Sequence, residues 1–338
     1  MQYELLAPRH WASWTGLGCL RLFERMPYPA MLVIGRVLGV IARHLPLRFV
    51  RVARRNMELC LPGLSGAERE RLINRHFTSL GIGICESAMS WWSSDERIRS
   101  LSRIEGCEHL DEAQKRGHGV ILLTAHFTTL EIGARIMNAN RPICALYRPL
   151  KNQVLAAASN RCRTRLARGA IRHNDIRGMV RALKNNEIVW YAPDQSFRKK
   201  GAQMVRFFGL PVATNTGTSR LAQMTGASIL YFSHERLPNG AGYRVVIHPP
   251  QSCIPSNDSV SDTEHFNEFI EAQVRRVPEQ YWWIHKRFKG LGADYPDYYR
   301  TPVPATPAVA QEPFIRIAPS RPAIEGSWIR RSPQSPGG

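Results

Sequence analysis

Apolar residues along this chain alternate between short unbroken runs and longer stretches in which they recur every three or four positions. That is the pattern of buried strands interleaved with amphipathic helices. Residues 65 to 100 carry the helical pattern: Leu72, Ile73, His76, Phe77, Leu80 and Ile84 follow at its spacing, and Ser65-Gly-Ala-Glu68 reads as a capping box at the start. Val120 to Leu123 is an unbroken run released by the turn signal Gly117-His118-Gly119, and it predicts a strand covered on both faces. Further strands are expected at Ile143 to Leu146, Ile188 to Ala192, Ile229 to Phe232 and Tyr243 to Ile247, with a helix from about Gly178 carrying Met179, Val180 and Leu183. Elements in that order predict an α/β fold, a mixed, mainly parallel sheet flanked by helices.

The N-terminal stretch reads differently. Trp11 and Trp14 precede two apolar segments, residues 17–25 and 26–42, which Arg21, Glu24, Arg25 and Arg36 interrupt. A spanning helix needs about 20 apolar residues. The expectation is therefore an N-terminal hydrophobic, membrane-anchoring helical segment that embeds or only just spans, against the alternative of two ordinary core helices with a solvated arginine face. Arg43, Arg48, Arg51, Arg54 and Arg55 follow and suit the interface of an anionic leaflet. No uninterrupted apolar core leads to a cleavage site, so no removable signal is expected. At the other end, eight of the 23 prolines fall in the last 38 residues, which predicts a disordered or loosely docked tail without chemistry. The expected division is an anchor over 1–45, a folded body over 46–300 and the tail over 301–338.

Composition narrows the class of partner. At 338 residues and 43% hydrophobic content the chain buries a sizeable core. Lys and Arg outnumber Asp and Glu by 46 to 27, and the net charge of +19 calls for an anionic partner: nucleic acid, an acidic protein or phosphorylated lipid. Charge alone does not choose among them. Seven cysteines, an odd number with no C-x-x-C pair, argue for a reduced, cytosol-facing body without a zinc ribbon.

The candidate chemistry gathers at the ends of the expected strands. His126 follows the first run, Arg148 the second and Asp194 the third, the positions at which α/β proteins place ligand groups. Glu131 comes five residues after His126. On one continuous helix such residues sit roughly 140° apart and do not meet. They meet if His126 lies in the turn and Glu131 in the opening turn of the helix, where a carboxylate would orient the imidazole as a base. Thr128-Thr-Leu-Glu131 is equally a capping box that needs no chemistry. Between the second and third strands seven arginines, from Arg161 to Arg181, surround a single acid, Asp175; they are either a solvated face or an oxyanion-binding segment.

Taken together and in order, His126-x-x-x-x-Glu131, Tyr147-Arg-Pro149, Asp175 to Lys184, Trp190-Tyr-Ala-Pro-Asp-Gln195 and Trp283-Ile-His-Lys-Arg-Phe288 resemble the late acyltransferases of lipid A biosynthesis. The resemblance extends over residues 5 to 300, including His10-Trp11 and Pro27-Tyr28-Pro29. It implies transfer of a fatty acyl group, of the laurate or myristate class, from acyl carrier protein to a hydroxyl on an acyl chain of a Kdo-lipid IVA type acceptor. His126 would be the general base and Glu131 the residue that orients it, with Arg148, Arg163, Arg165 and Asp194 binding or organising substrate. No cofactor, metal or acyl-enzyme is implied. The implied partners are the acidic carrier protein, the anionic lipid precursor and the inner membrane, with the catalytic domain on its cytoplasmic side. Three other readings stand beside it: a sister acyltransferase with another glycolipid or glycerolipid acceptor, a basic nucleic-acid-binding protein, and a metal hydrolase, for which two ligands are too few.

Overall fold

The described chain opens with helices α1 (Trp11–Glu24), α2 (Tyr28–His44), α3 (Arg48–Cys60) and α4 (Gly66–Trp92). The body then runs α5 (Asp95–Ser100), β1 (Ser102–Glu105), α6 (Cys107–Lys115), β2 (Val120–Leu123), α7 (Leu130–Asn140), β3 (Cys144–Tyr147), α8 (Gln153–Leu166), β4 (Gly169–Arg172), α9 (Ile176–Lys184) and β5 (Ile188–Tyr191). It closes with β6 (Ala202–Phe207), β7 (Leu210–Asn215), α10 (Gly217–Thr225), β8 (Ser228–Arg236), β9 (Tyr243–Ile247) and α11 (Ser259–Arg276). This computed structural model describes residues 3–45, 48–166, 169–197, 202–290, 292 and 295–300; the proline-rich stretch 301–338 lies outside them.

Seven strands form one sheet in the order β1-β9-β8-β2-β5-β3-β4, parallel throughout except between β8 and β9. The apolar run Val120–Leu123 sits at its centre with all four residues buried, because helices cover both faces. The mixed, mostly parallel α/β sheet expected from the sequence is thus present, and β2 and β9 occupy the expected residues. An antiparallel hairpin, β6–β7, was not anticipated.

Ser65 caps α4 as expected, its hydroxyl accepting from the Glu68 N–H while the Glu68 carboxylate accepts from the Ser65 N–H. The expected helical stretch 65–100 is divided, because Ser94 starts α5 with a cap of its own. A second expected cap is not formed. Helix α7 begins at Leu130 with Thr129 at its N-cap and no side-chain cap bond, while the Thr128 hydroxyl pairs with Ser79 of α4 at 2.7 Å. Thr128-Thr-Leu-Glu131 is therefore not a capping box.

Helix α2 lies on α4 with the two backbones in contact. A Cβ on Gly39 would meet the Phe77 carbonyl oxygen at 2.2 Å, and one on Gly35 the Ile82 Cα at 2.5 Å. Small residues four apart permit this approach. It buries Met31 and Leu32 against Ile82, Cys85 and Met89 and leaves Val33, Val37, Val40 and Ile41 exposed on the opposite side. Among the described residues no single helix is long and apolar enough to cross a membrane; α2 and α3 reach that length and composition only as a pair bent by 91°. Across the core, Arg236 of β8 grips Glu86 of α4 through two bonds of 2.6 and 2.7 Å, which holds the helix to the sheet.

Two fully buried histidines contribute to the acid sensitivity of the fold. Burial pulls His76 down from 6.5 to about 4 and His234 to about 3. The unfolded chain protonates both below 6.5, whereas the folded chain stays neutral until far lower. Stability present above that value is therefore lost as pH falls. The urea midpoint is expected to drop between about pH 7 and about pH 5; an unchanged midpoint would mean that these rings are charged in the folded state.

Candidate active site

Strands β2 and β5 are parallel neighbours, and Leu123 pairs with Tyr191. The ladder continues one step further, the Thr124 N–H donating to the Tyr191 carbonyl at 2.9 Å. His126 and Asp194 each lie three residues beyond that pair, so the sheet register delivers them to the same place. His126 Nδ1 and Asp194 Oδ1 are 2.5 Å apart, and the backbone N–H of His126 donates to the other carboxylate oxygen at 2.9 Å. Both oxygens of Asp194 are thus committed to one residue. Its side chain is 3% exposed and that of His126 24%.

Burial alone would push the Asp194 carboxyl up, but the charge and hydrogen bonds of His126, with Arg287 behind, outweigh it and hold the group below the usual carboxylate range. An ionised Asp194 accepts from an Nδ1–H, which places the imidazole lone pair on Nε2. The loop that carries His126 is fixed from outside. Phe127 and Tyr281 form an isolated antiparallel bridge, Trp282 N–H donates to the His126 carbonyl at 3.0 Å, and Thr128 N–H donates to that of Gln280 at 2.7 Å.

His126 opens onto a cavity of about 460 Å³. Its walls follow α4 from Leu80 through Ile84 to Trp91 and α7 from Leu130 through Ala134 to Asn138, with Ala145 and Trp190 contributed by the sheet and Ile143 by the turn before β3. The volume falls in the range of small-molecule sites, and the lining is largely apolar, so it suits a hydrocarbon chain better than a sugar or a base.

Glu131 and Arg148 line this cavity together with His126. The turn-and-helix arrangement expected for His126 and Glu131 is present: His126 precedes α7 and Glu131 is its second residue. The carboxylate on Nδ1, however, is that of Asp194. The sequence did not anticipate this partnership: Asp194 is buried beneath the histidine and holds it at Nδ1, while Glu131 lines the cavity beside it. Arg148 is exposed at the end of β3. Arg163 and Arg165 lie on α8, the helix that adds Cys162 to the cavity wall; their side chains are outside the described residues.

Sequence reasoning also passed over His285 and Arg287. The Ser196 N–H donates to His285 Nε2 at 3.2 Å. Burial, then the charge of Lys289, pull that ring down to about 4, so it stays neutral. Arg287 is buried and donates to the Thr214 hydroxyl at 2.9 Å. Both lie in the Trp283–Phe288 stretch that the sequence singled out as a motif without assigning roles within it. Among the described residues, no three His, Cys, Asp or Glu side chains converge in a manner that would hold a metal ion.

A buried carboxylate paired to an imidazole that lines an adjoining apolar cavity is an arrangement able to take a proton from a group bound there. Comparison with known proteins points the same way. Residues 1–290 match the family of bacterial lipid A biosynthesis acyltransferases. The chain is 40% identical over 287 residues to the lipid A biosynthesis palmitoleoyltransferase of Escherichia coli (strain K12), covering 85% of this chain and 94% of that one. It is 36% identical over 296 residues to the lipid A biosynthesis lauroyltransferase of the same strain, with 87% and 97% covered. To that strain's lipid A biosynthesis myristoyltransferase it is 26% identical over 286 residues. The chain belongs to the bacterial lipid A biosynthesis acyltransferase family and is an acyltransferase.

Proposed function

We propose that the enzyme transfers a fatty acyl group from the thioester of acyl carrier protein to a hydroxyl on an acyl chain of the Kdo-modified, doubly phosphorylated lipid A precursor. The observation that carries this reading is that His126, paired with the buried Asp194, lines the 460 Å³ apolar cavity. His126 Nε2 takes the proton of the acceptor hydroxyl as its oxygen attacks the thioester carbonyl. The tetrahedral intermediate collapses with cleavage of the C–S bond, and the imidazolium returns the proton to the leaving thiolate. Asp194 keeps Nδ1 protonated throughout and stabilises the transient positive charge. Glu131 adds a second negative charge on the cavity wall near the imidazole, and Arg148 supplies a cation at the rim for the developing oxyanion. Direct attack by the acceptor needs no acyl-enzyme.

The exposed face of α2 supports a reading of membrane attachment. Val33, Val37, Val40 and Ile41 form an unpartnered apolar stripe, with Arg36 near its edge able to snorkel, and Trp11 is exposed on α1. These features suit attachment to the inner membrane with the catalytic body on the cytoplasmic side, where acyl carrier protein is found.

Cavity depth is the natural measure of acyl length. Ala134 stands on the wall one turn beyond Glu131. In Ala134→Phe the ratio of kcat/KM for a longer over a shorter acyl donor is expected to fall about tenfold, as an occluded pocket discriminates by methylenes. Equal losses on both donors would place the acyl chain elsewhere.

A further inference from the structure

A second concavity, of about 540 Å³, lies on the other side of His285. Arg48, Arg51 and Arg55 of α3 line it at spacings of three and four, so they share one helix face; Lys286 stands opposite. Arg48, Arg51 and Lys286 are exposed. Among the described residues no Asp or Glu lines the groove, although Arg55 is itself engaged, donating to the Tyr298 carbonyl and pairing with the Glu58 carboxylate at 3.4 Å. The Lys286 ammonium is held over the Tyr299 ring at 5.1 Å, which fixes its position on the wall.

Two residues fix what the groove faces. His285 lines both the groove and the small space beside His126 and Asp194, so the groove adjoins the reacting pair. Phe49, 39% exposed, also lines the groove from α3, the helix that follows the α2 face on which Val33, Val37, Val40 and Ile41 are exposed. A stripe immersed in lipid would therefore set the groove at headgroup depth. With Arg55 engaged by its neighbours, the guanidinium forks of Arg48 and Arg51, beside Lys286 and with no Asp or Glu among the described lining residues, match a phosphate.

We infer that this groove binds a phosphate of the membrane glycolipid acceptor. The inference rests on the proposed reaction and adds to it where the acceptor's charge is read. The acyl chain would lie in the apolar cavity and the acceptor phosphate in the basic groove, with His126 between them.

The test compares the Arg51→Gln/Lys286→Gln double variant with wild type, using acyl carrier protein thioester and a lipid A precursor with or without the phosphate. The acceptor KM is expected to rise about tenfold, the loss of a charge-assisted contact, with the donor KM changed less than about twofold. Arg51→Lys/Lys286→Arg should restore most of it. Removing one acceptor phosphate should produce the same rise in wild type and add little to the variant, since both changes break one interaction. Multiplying effects for removal of either phosphate, or a rise in the donor KM instead, would overturn the inference; the latter would assign the groove to the carrier protein. A separate arm sediments the protein with phosphatidylcholine vesicles containing phosphatidic acid, where the variant should bind several-fold more weakly. Equal binding there also counts against the groove. If wild type transfers no acyl group at all, the reaction assignment fails while the vesicle arm still reads the groove.

Discussion

His126→Ala is expected to lower kcat for acyl transfer by roughly 10²- to 10⁴-fold, the contribution of a positioned general base. A secondary alcohol is a poor nucleophile, and His126 is the only ring in the structure whose Nδ1 is paired to a buried carboxylate while it also lines the acyl-sized cavity, among the described residues. The fold should survive, because the loop is also tied through backbone bonds from Thr128 to Gln280 and from Trp282 to His126, which do not involve the ring. Turnover near the wild-type rate in a folded variant would remove His126 from the reaction.

Asp194→Asn is expected to cost roughly 10³- to 10⁴-fold in kcat, comparable to losing the base itself. The reason lies in where the two oxygens point. One accepts the His126 backbone N–H, the other meets Nδ1. An asparagine that keeps its carbonyl on the backbone N–H turns its NH₂ toward Nδ1, which draws the lone pair to Nδ1 and leaves the proton on Nε2. The imidazole is then the wrong tautomer to act as a base. Glu131→Gln leaves that bond intact and removes only a charge on the cavity wall, so its loss should be smaller, about 10- to 100-fold. The opposite ranking of the two variants would return the orienting role to Glu131.

These two residues mark the boundary of what sequence could reveal. Strand β2 was legible because four apolar residues between a glycine turn and a polar segment have few other fates, and α4 because its periodicity and its Ser65 cap agree. The place of His126 at the end of β2 follows directly from them. The partnership with Asp194 does not, since 68 residues and two further strands separate the pair, and only the sheet order makes β2 and β5 neighbours. Proximity along the chain favoured Glu131 instead. The capping box at Thr128 failed for a related reason: its hydroxyl had a tertiary partner in Ser79 that no local pattern announces. The basic groove was present in the sequence as arginines on one helix, but its other wall, Lys286, comes from more than two hundred residues away.

The measurement that bears most directly on the proposed reaction is the intact mass of lipid A from cells that carry or lack this chain. Loss of one acyl group without it, restored by the wild-type chain and not by His126→Ala, is the expected result. Lipid A of unchanged mass in its absence, or full restoration by His126→Ala, would contradict it.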